Sequence, residues 1–179
     1  MTKARSLASA ANTAINSTEL GYLDGVTSAI QTQLNAKAST TSPTLTTPVI
    51  VSPEERMTVS ATAATGTINF DAVTQGVLYY TSNASADWTL NVRGTSGTTL
   101  NSALATGDAI TVSFLVTNGS TAYKHSALTI DGTSVTPKWS GGTSPAAGNA
   151  SSIDAYSFTI IKTASATYTV LGAGPIKYA

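Results

Sequence analysis

The sequence of 179 residues contains no cysteine, a single histidine and very little charge. Without cysteine there can be no disulfide framework and no thiolate chemistry. Lys, Arg, Asp and Glu together make up 10% of the chain, nine residues of each sign, so the formal net charge is zero. Nucleic-acid binding needs a clustered basic surface, and a balance this sparse argues against it. No apolar run approaches the ~18 residues of a membrane helix, so we expect no insertion into a membrane.

The same scarcity leaves few groups for catalysis or metal binding. His125 is the one histidine, and no serine lies in the glycine pattern of a nucleophile elbow. The aspartates of the C-terminal half are scattered singly, at Asp71, Asp87, Asp108, Asp131 and Asp154. None has the close spacing of a calcium loop, and nothing in their spacing favours the carboxylate pair that glycoside cleavage needs. We therefore expect no catalytic residues, no cofactor and no metal site.

Hydroxyl groups replace the missing charge, because the chain contains 32 Thr and 22 Ser. Thr favours β-sheet and keeps an exposed strand face hydrated. Residues 67–179 consist of short segments in which apolar and polar residues alternate, as Trp88, Leu90 and Val92 do in "DWTLNVRG". Turns rich in Gly, Asn and Asp separate these segments, and Asp131-Gly132 is typical of a hairpin turn. About eight such strands predict a mainly β domain, an antiparallel β-sandwich of jelly-roll type, with a closed barrel as the alternative.

Residues 1–38 are the part of the chain with helical spacing. In "ELGYLDGVTSAIQTQLNAKA" a seam of steps of three and four, typical of two coiled-coil heptads, runs through Leu20, Leu23, Thr27, Ile30 and Leu34. Burying an apolar side chain stabilises by ~1.5–3 kcal/mol, whereas ordering each of roughly twenty backbone residues costs ~1–2 kcal/mol. So short a helix is marginal alone. It must pack on the rest of the chain, for instance over an open end of the β domain, or on copies of itself; we favour self-association.

Residues 39–66 form a predicted connector. Three prolines, spaced five residues apart, exclude a continuous helix and confine any strand to a short edge. The apolar residues Leu45, Val49, Ile50 and Val51 would be badly exposed on a free linker. We therefore expect this extended segment to lie against a neighbour.

Binding is harder to dismiss than catalysis. Trp139 stands where a strand runs into the glycine-rich loop 141–152, and an exposed aromatic ring beside Lys, Ser and Asn can stack on a sugar. The candidate ligand contacts are Trp139, Tyr80, Lys138 and Asn149. The simpler interpretation is that Trp139 closes one end of the sandwich, and we prefer it.

Two parts of the sequence resemble known phage proteins. "STELGYLDGVTSAIQTQLNAKA", followed by "SPTLTTPVI", resembles virion fibre proteins of tailed bacteriophages over residues 17–50. Those fibres carry the phrase Leu-x-Tyr-Leu-Asp-Gly-Val-Thr-Ser-x-Ile-Gln-x-Gln-Leu before a Ser-Pro-Thr connector. "GTSGTTLNSALATGDAITVSFLVTNGSTAY" and "VTPKWSGGTSPAAGNASSIDAYSFTIIKTASATYTVL" look like a C-terminal domain that recurs in structural proteins of phages infecting cyanobacteria.

The resemblance implies a parallel homotrimer with a helical bundle, an interwoven connector and a β-rich head. Residues 1–38 would trimerise and attach to other virion proteins, and residues 67–179 would form the head. The implied function is a short, non-enzymatic tail or neck fibre, assembled in the host cytoplasm and located on the virion, whose head takes part in host attachment. The alternatives are a capsid decoration or head-fibre protein, and a module that recognises a glycan of the host cell surface.

Overall fold

The computed structural model describes residues 51–179, together with the isolated residues 4, 18 and 49. The chain divides into two units, Met1–Val51 and Ser52–Ala179. The predicted helical segment and most of the predicted connector lie outside the described residues. The second unit, which we call the head, is the part whose architecture follows.

Residues 51–179 contain ten strands and two short helical segments. The strands are β1 Met57–Ala63, β2 Gly66–Asp71, β3 Val77–Ser82, β4 Trp88–Arg93, β5 Ala109–Asn118, β6 His125–Ile130, β7 Thr133–Val135, β8 Lys138–Trp139, β9 Ser152–Ala164 and β10 Thr167–Tyr178. Helix α1, Leu100–Ala103, lies between β4 and β5, and one 3₁₀ turn at Ser140–Gly142 follows β8. The prediction of a mainly β protein is confirmed. Strand β1 lies within the residues assigned from sequence to the connector.

The strands form two sheets. One has six strands in the order β1-β3-β5-β9-β10-β8, and the other has four in the order β2-β4-β6-β7. From β1 to β6 successive strands belong alternately to the two sheets: β1, β3 and β5 lie in the six-stranded sheet, and β2, β4 and β6 lie in the four-stranded sheet. Three β-arches, β1–β2, β3–β4 and β5–β6, therefore stack on one another, and equivalent strands of successive arches pair in parallel.

The prediction of an antiparallel arrangement is wrong for most of the strand pairings. Five of the eight pairings are parallel, and antiparallel pairing is found for β5–β9, β9–β10 and β6–β7. Alternation of apolar and polar residues determines which side of a strand is buried, but it does not select the neighbouring strand. Parallel neighbours need a crossover of about a dozen residues, and here a strand of the opposite sheet supplies it.

The core lies between the two sheets and is built from alternate residues of their strands. Trp88, Leu90 and Val92 are fully buried, which confirms the inward side predicted for β4. The ring of Trp88 meets the rings of Phe114 and Tyr156 from the six-stranded sheet, with centroids 5.7 and 5.9 Å apart. Each such side chain stabilises the fold by about 1.5–3 kcal/mol when fully buried. The head thus holds a core of its own.

The Asp-Gly hairpin turn predicted from sequence is confirmed between β6 and β7. Asp131 and Gly132 have φ values of 50° and 81°, the left-handed conformations that a type I′ turn requires at both central positions. The carboxylate of Asp131 also accepts hydrogen bonds from the backbone N–H groups of Leu100 and Asn101, at 2.7 and 3.0 Å. The turn therefore also holds the start of α1.

Candidate functional site

A cleft beside Trp139 is the candidate binding site. Strand β8 pairs in parallel with β10 and places Trp139 opposite Gly172. A Cβ atom at Gly172 would lie 3.0 Å from Cε3 of the indole, so glycine is what allows the ring to lie against the β10 backbone. The ring centroid of Trp139 is 5.5 Å from that of His125 and 5.7 Å from that of Phe158. One side of the indole therefore packs on the core.

The cleft has a volume of about 300 Å³, and its walls come from β6, the segment around β7 and the glycine-rich loop. Its lining includes the hydroxyl groups of Ser134, Thr136 and Ser144 beside Trp139, and it contains neither Asp nor Glu. The ammonium group of Lys124, also in the lining, donates a hydrogen bond to the carbonyl oxygen of Pro145 at 3.1 Å. This arrangement offers an aromatic ring and hydroxyl groups to an uncharged polar ligand, but no carboxylate pair that could cleave a glycosidic bond.

Asn149 anchors the glycine-rich loop and does not line this cleft. Its backbone N–H and its side-chain amide both donate to the carboxylate of Asp154, each at 2.8 Å. The side-chain amide of Asn118 donates to the same carboxylate at 3.1 Å. Asp154 is fully buried, and three hydrogen bonds offset the cost of burying its carboxylate. The end of the loop is thereby held against the start of β9.

The other two candidate contacts lie away from the cleft. Tyr80 on β3 turns inward and packs against Phe114, with ring centroids 5.6 Å apart. Lys138 is paired with Leu171 and is exposed on the side of the six-stranded sheet opposite to that of Trp139. Trp139 is thus the candidate that lines the cleft, and the four do not form one site. The five seam residues (Leu20, Leu23, Thr27, Ile30 and Leu34) lie outside the described residues.

His125 lies behind Trp139, within the core. Its side chain is 6% exposed, and its ring centroid is 5.1 Å from that of Phe158. Burial lowers the pKa of His125 to about 4; a backbone hydrogen bond at Ala127 opposes this, and the positive charge of Lys124 adds to it. The Nε2 atom is buried without a hydrogen-bond partner. At neutral pH the imidazole is therefore uncharged and packs as another aromatic ring.

No family model, no curated protein and no solved structure matches the chain. Within residues 51–179 no group of three or more His, Asp or Glu side chains is placed to hold a metal ion. Of the helices described, none has the length and apolar character needed to cross a bilayer. The function must therefore be argued from the residues and their geometry.

Proposed function

We propose that this chain is a non-enzymatic structural component of a bacteriophage virion, a short homotrimeric fibre. Residues 1–38 would associate with two further copies and attach to other virion proteins, and the head would point outward and take part in host attachment. The observation that carries this proposal is the heptad seam from Leu20 to Leu34, set in a phrase that resembles tailed-phage fibres. Two heptads cannot bury their apolar side chains without partners.

The head is compatible with such a role. It is built from two sheets, in which stacked parallel arches replace most of the antiparallel pairings predicted from the sequence. Arches stacked in this way extend the core along one direction, as the repeats of a solenoid do.

The proposal is tested first by light scattering on the full chain. The expected mass is three times the 18.1 kDa of one chain, and a monomer at micromolar concentration would refute the fibre. Cryo-electron microscopy of the intact virion then shows where on the particle this protein is located. Three-fold density at the tail or neck is the expected result, whereas density on the capsid surface would favour the decoration protein.

Glycan recognition by the head is a second candidate function, and the cleft beside Trp139 favours it. Replacing Trp139 would disturb the core, so the test uses Thr136→Arg, which fills the cleft from its exposed rim. The matched control is Thr133→Arg, an exposed threonine on β7 outside the lining. On immobilised host polysaccharide we expect Thr136→Arg to weaken retention at least tenfold and Thr133→Arg to leave it unchanged. Equal retention of both variants would remove the cleft from consideration.

A further inference from the structure

The outward side of five neighbouring strands in the six-stranded sheet carries no charged residue. The register aligns one row of side chains across β1, β3, β5, β9 and β10, namely Val59, Tyr79, Leu115, Ala155 and Ile176. The rows on either side add further apolar and hydroxyl side chains, and none of the outward residues of these strands is Lys, Arg, Asp or Glu. We call this surface the uncharged face.

Large apolar side chains on the uncharged face are open to solvent. Among all the described residues, eight large apolar side chains are exposed. Five of them belong to this face: Met57, Val59, Leu171, Ile176 and Tyr178, with between 47% and 60% of the side chain exposed. None of the eight lies on a strand of the four-stranded sheet. The five lie on β1 and β10, and the half-buried Tyr79, Leu115 and Ala155 join the two strands across the row. Large exposed apolar surfaces are characteristic of interaction sites.

Strand β1 shows the reverse of the usual pattern. Thr58 and Ser60 point toward the interior side, since Thr58 is aligned with the buried Leu78, whereas Met57 and Val59 point outward. The apolar side of a strand normally faces the core against which it packs. In β1 that side faces away from the head's own core, so the surface that would cover it must come from outside the head.

The four-stranded sheet provides an internal comparison. Its outward side carries an amide and hydroxyl ladder, in which Asn91 donates to Asn69 and accepts from Thr129, each at 2.8 Å. Beside the ladder, Nε of Arg93 pairs with the carboxylate of Asp71 at 2.6 Å. This surface is well satisfied in water. The two outer faces therefore differ in chemistry, although both are built from the same hydroxyl-rich sequence.

We propose that the uncharged face is the surface through which the heads of neighbouring copies of this chain pack against one another. Five strands about 4.8 Å apart and about 30 Å long present roughly 700 Å², close to the about 800 Å² per partner of a standard protein interface. A second copy fits because two uncharged surfaces meet without like-charge repulsion and without burying an ion.

The preceding part of the chain makes this occupant the favoured one. Strand β1 is the first element after unit 1–51, so the chain enters the head at one edge of the uncharged face. The inference rests on the proposed trimer, because association through residues 20–34 would raise the effective concentration of the heads around one another. At a high effective concentration even a modest apolar face is enough to hold the heads together.

The absence of cysteine allows a direct test on the full chain. Val59→Cys places a thiol on the uncharged face, and the matched control Thr67→Cys places one on an exposed outward position of β2 in the other sheet. Both variants are treated with a maleimide while light scattering reports the oligomeric state. We expect Val59→Cys to react at least tenfold more slowly than Thr67→Cys in the oligomer, and the two rates to converge on dilution. Ile176→Cys, in the same row, repeats the measurement on a second strand.

The outcomes separate this inference from the proposed function. A trimer in which Val59→Cys, Ile176→Cys and Thr67→Cys all react equally fast would overturn the packing of heads and leave the fibre standing. Slow reaction that appears only after other virion proteins are added would assign the face to a different partner, which also overturns the inference. A monomer at every concentration would overturn both.

Discussion

Acidification from about pH 7.5 to about pH 4 should destabilise the head through one side chain, His125. Its pKa is about 4 in the folded head, well below the ordinary histidine value of 6.5. Between these values the unfolded chain binds a proton that the folded head does not, so the free energy of unfolding rises with pH across this window. The contribution is fully present above pH 6.5 and is lost as the pH falls toward 4.

The lowered pKa of His125 contributes about 3 kcal/mol at most to the free energy of unfolding. This is a large part of the roughly 5–15 kcal/mol by which a typical domain is stable. The structure gives the reason. The imidazole is 6% exposed and packs in a cluster with the rings of Trp139 and Phe158, whose centroids are 5.5 and 5.1 Å from its own. A proton on this ring would place a charge in an apolar environment beside the cation of Lys124, with no carboxylate in the cleft lining to balance it.

Denaturant unfolding followed by tryptophan fluorescence measures the effect on the full chain. Both tryptophans, Trp88 and Trp139, lie in the head, so the signal reports its unfolding alone. The control is His125→Phe, which keeps a ring in the core and removes the titrating group. Carboxylates titrate alike in both proteins, so the difference between their free energies of unfolding isolates the histidine.

We expect the difference to change by about 3 kcal/mol between about pH 7.5 and about pH 4, at fixed protein concentration. At the higher pH, His125→Phe should be less stable than the parent protein by about 1 kcal/mol, because the phenyl ring cannot make the hydrogen bond of the imidazole at Ala127, whereas the buried Nε2 has no partner to lose. Parallel profiles for the two proteins across this range would refute the argument that burial depresses the pKa.

Three further predictions concern the core, the loop anchor and the seam. Phe158→Ala should lower the free energy of unfolding by about 3–5 kcal/mol in denaturant titrations, because it opens a cavity in a fully buried cluster; a loss below about 1 kcal/mol would contradict that packing. Asp154→Ala should lower the free energy of unfolding by about 3 kcal/mol, because it leaves buried donors unpaired. The control Asp108→Ala, at an exposed turn, should lower it by less than about 0.5 kcal/mol. Equal losses in the two variants would show that the loop anchor is unimportant for stability. Ile30→Asp should reduce the trimer to a monomer in light scattering while Gln31→Asp, beside the seam, keeps it; an unchanged mass for both would exclude the seam.

Local patterns were sufficient to predict most of the strands. "DWTLNVRG" places Trp88, Leu90 and Val92 on one side, and these residues are buried, because alternation in a strand depends only on successive residues. Strand β1 was assigned to the connector instead. "MTVSATA" alternates apolar and polar residues throughout, but its apolar side lies away from the core, so alternation alone does not show that this strand belongs to the head. Its place in the sheet depends on pairing with β3.

The candidate site was predictable only in part. A partly exposed Trp139 beside a glycine-rich loop can be inferred from the sequence. Which of the adjacent Tyr79 and Tyr80 faces the core could not be inferred, because it depends on the register with β5, which turns Tyr80 toward Phe114. The anchoring of Asn149 was missed because it depends on the path of the loop: alternation with Tyr156 places Asp154 on the inward side, but it does not show which groups donate to its carboxylate.

By itself, the sequence determined the available chemistry (no thiol, one imidazole, few charges), the position of most strands and the Asp131-Gly132 hairpin turn. The tertiary structure alone decided that successive strands alternate between two sheets, that His125 is buried among aromatic rings, and that residues as distant as Val59 and Ile176 share one uncharged face. The physical reason is range. Alternation and turn conformation act over a few neighbouring residues, whereas strand partners, burial and surface chemistry arise from contacts between residues far apart in the chain.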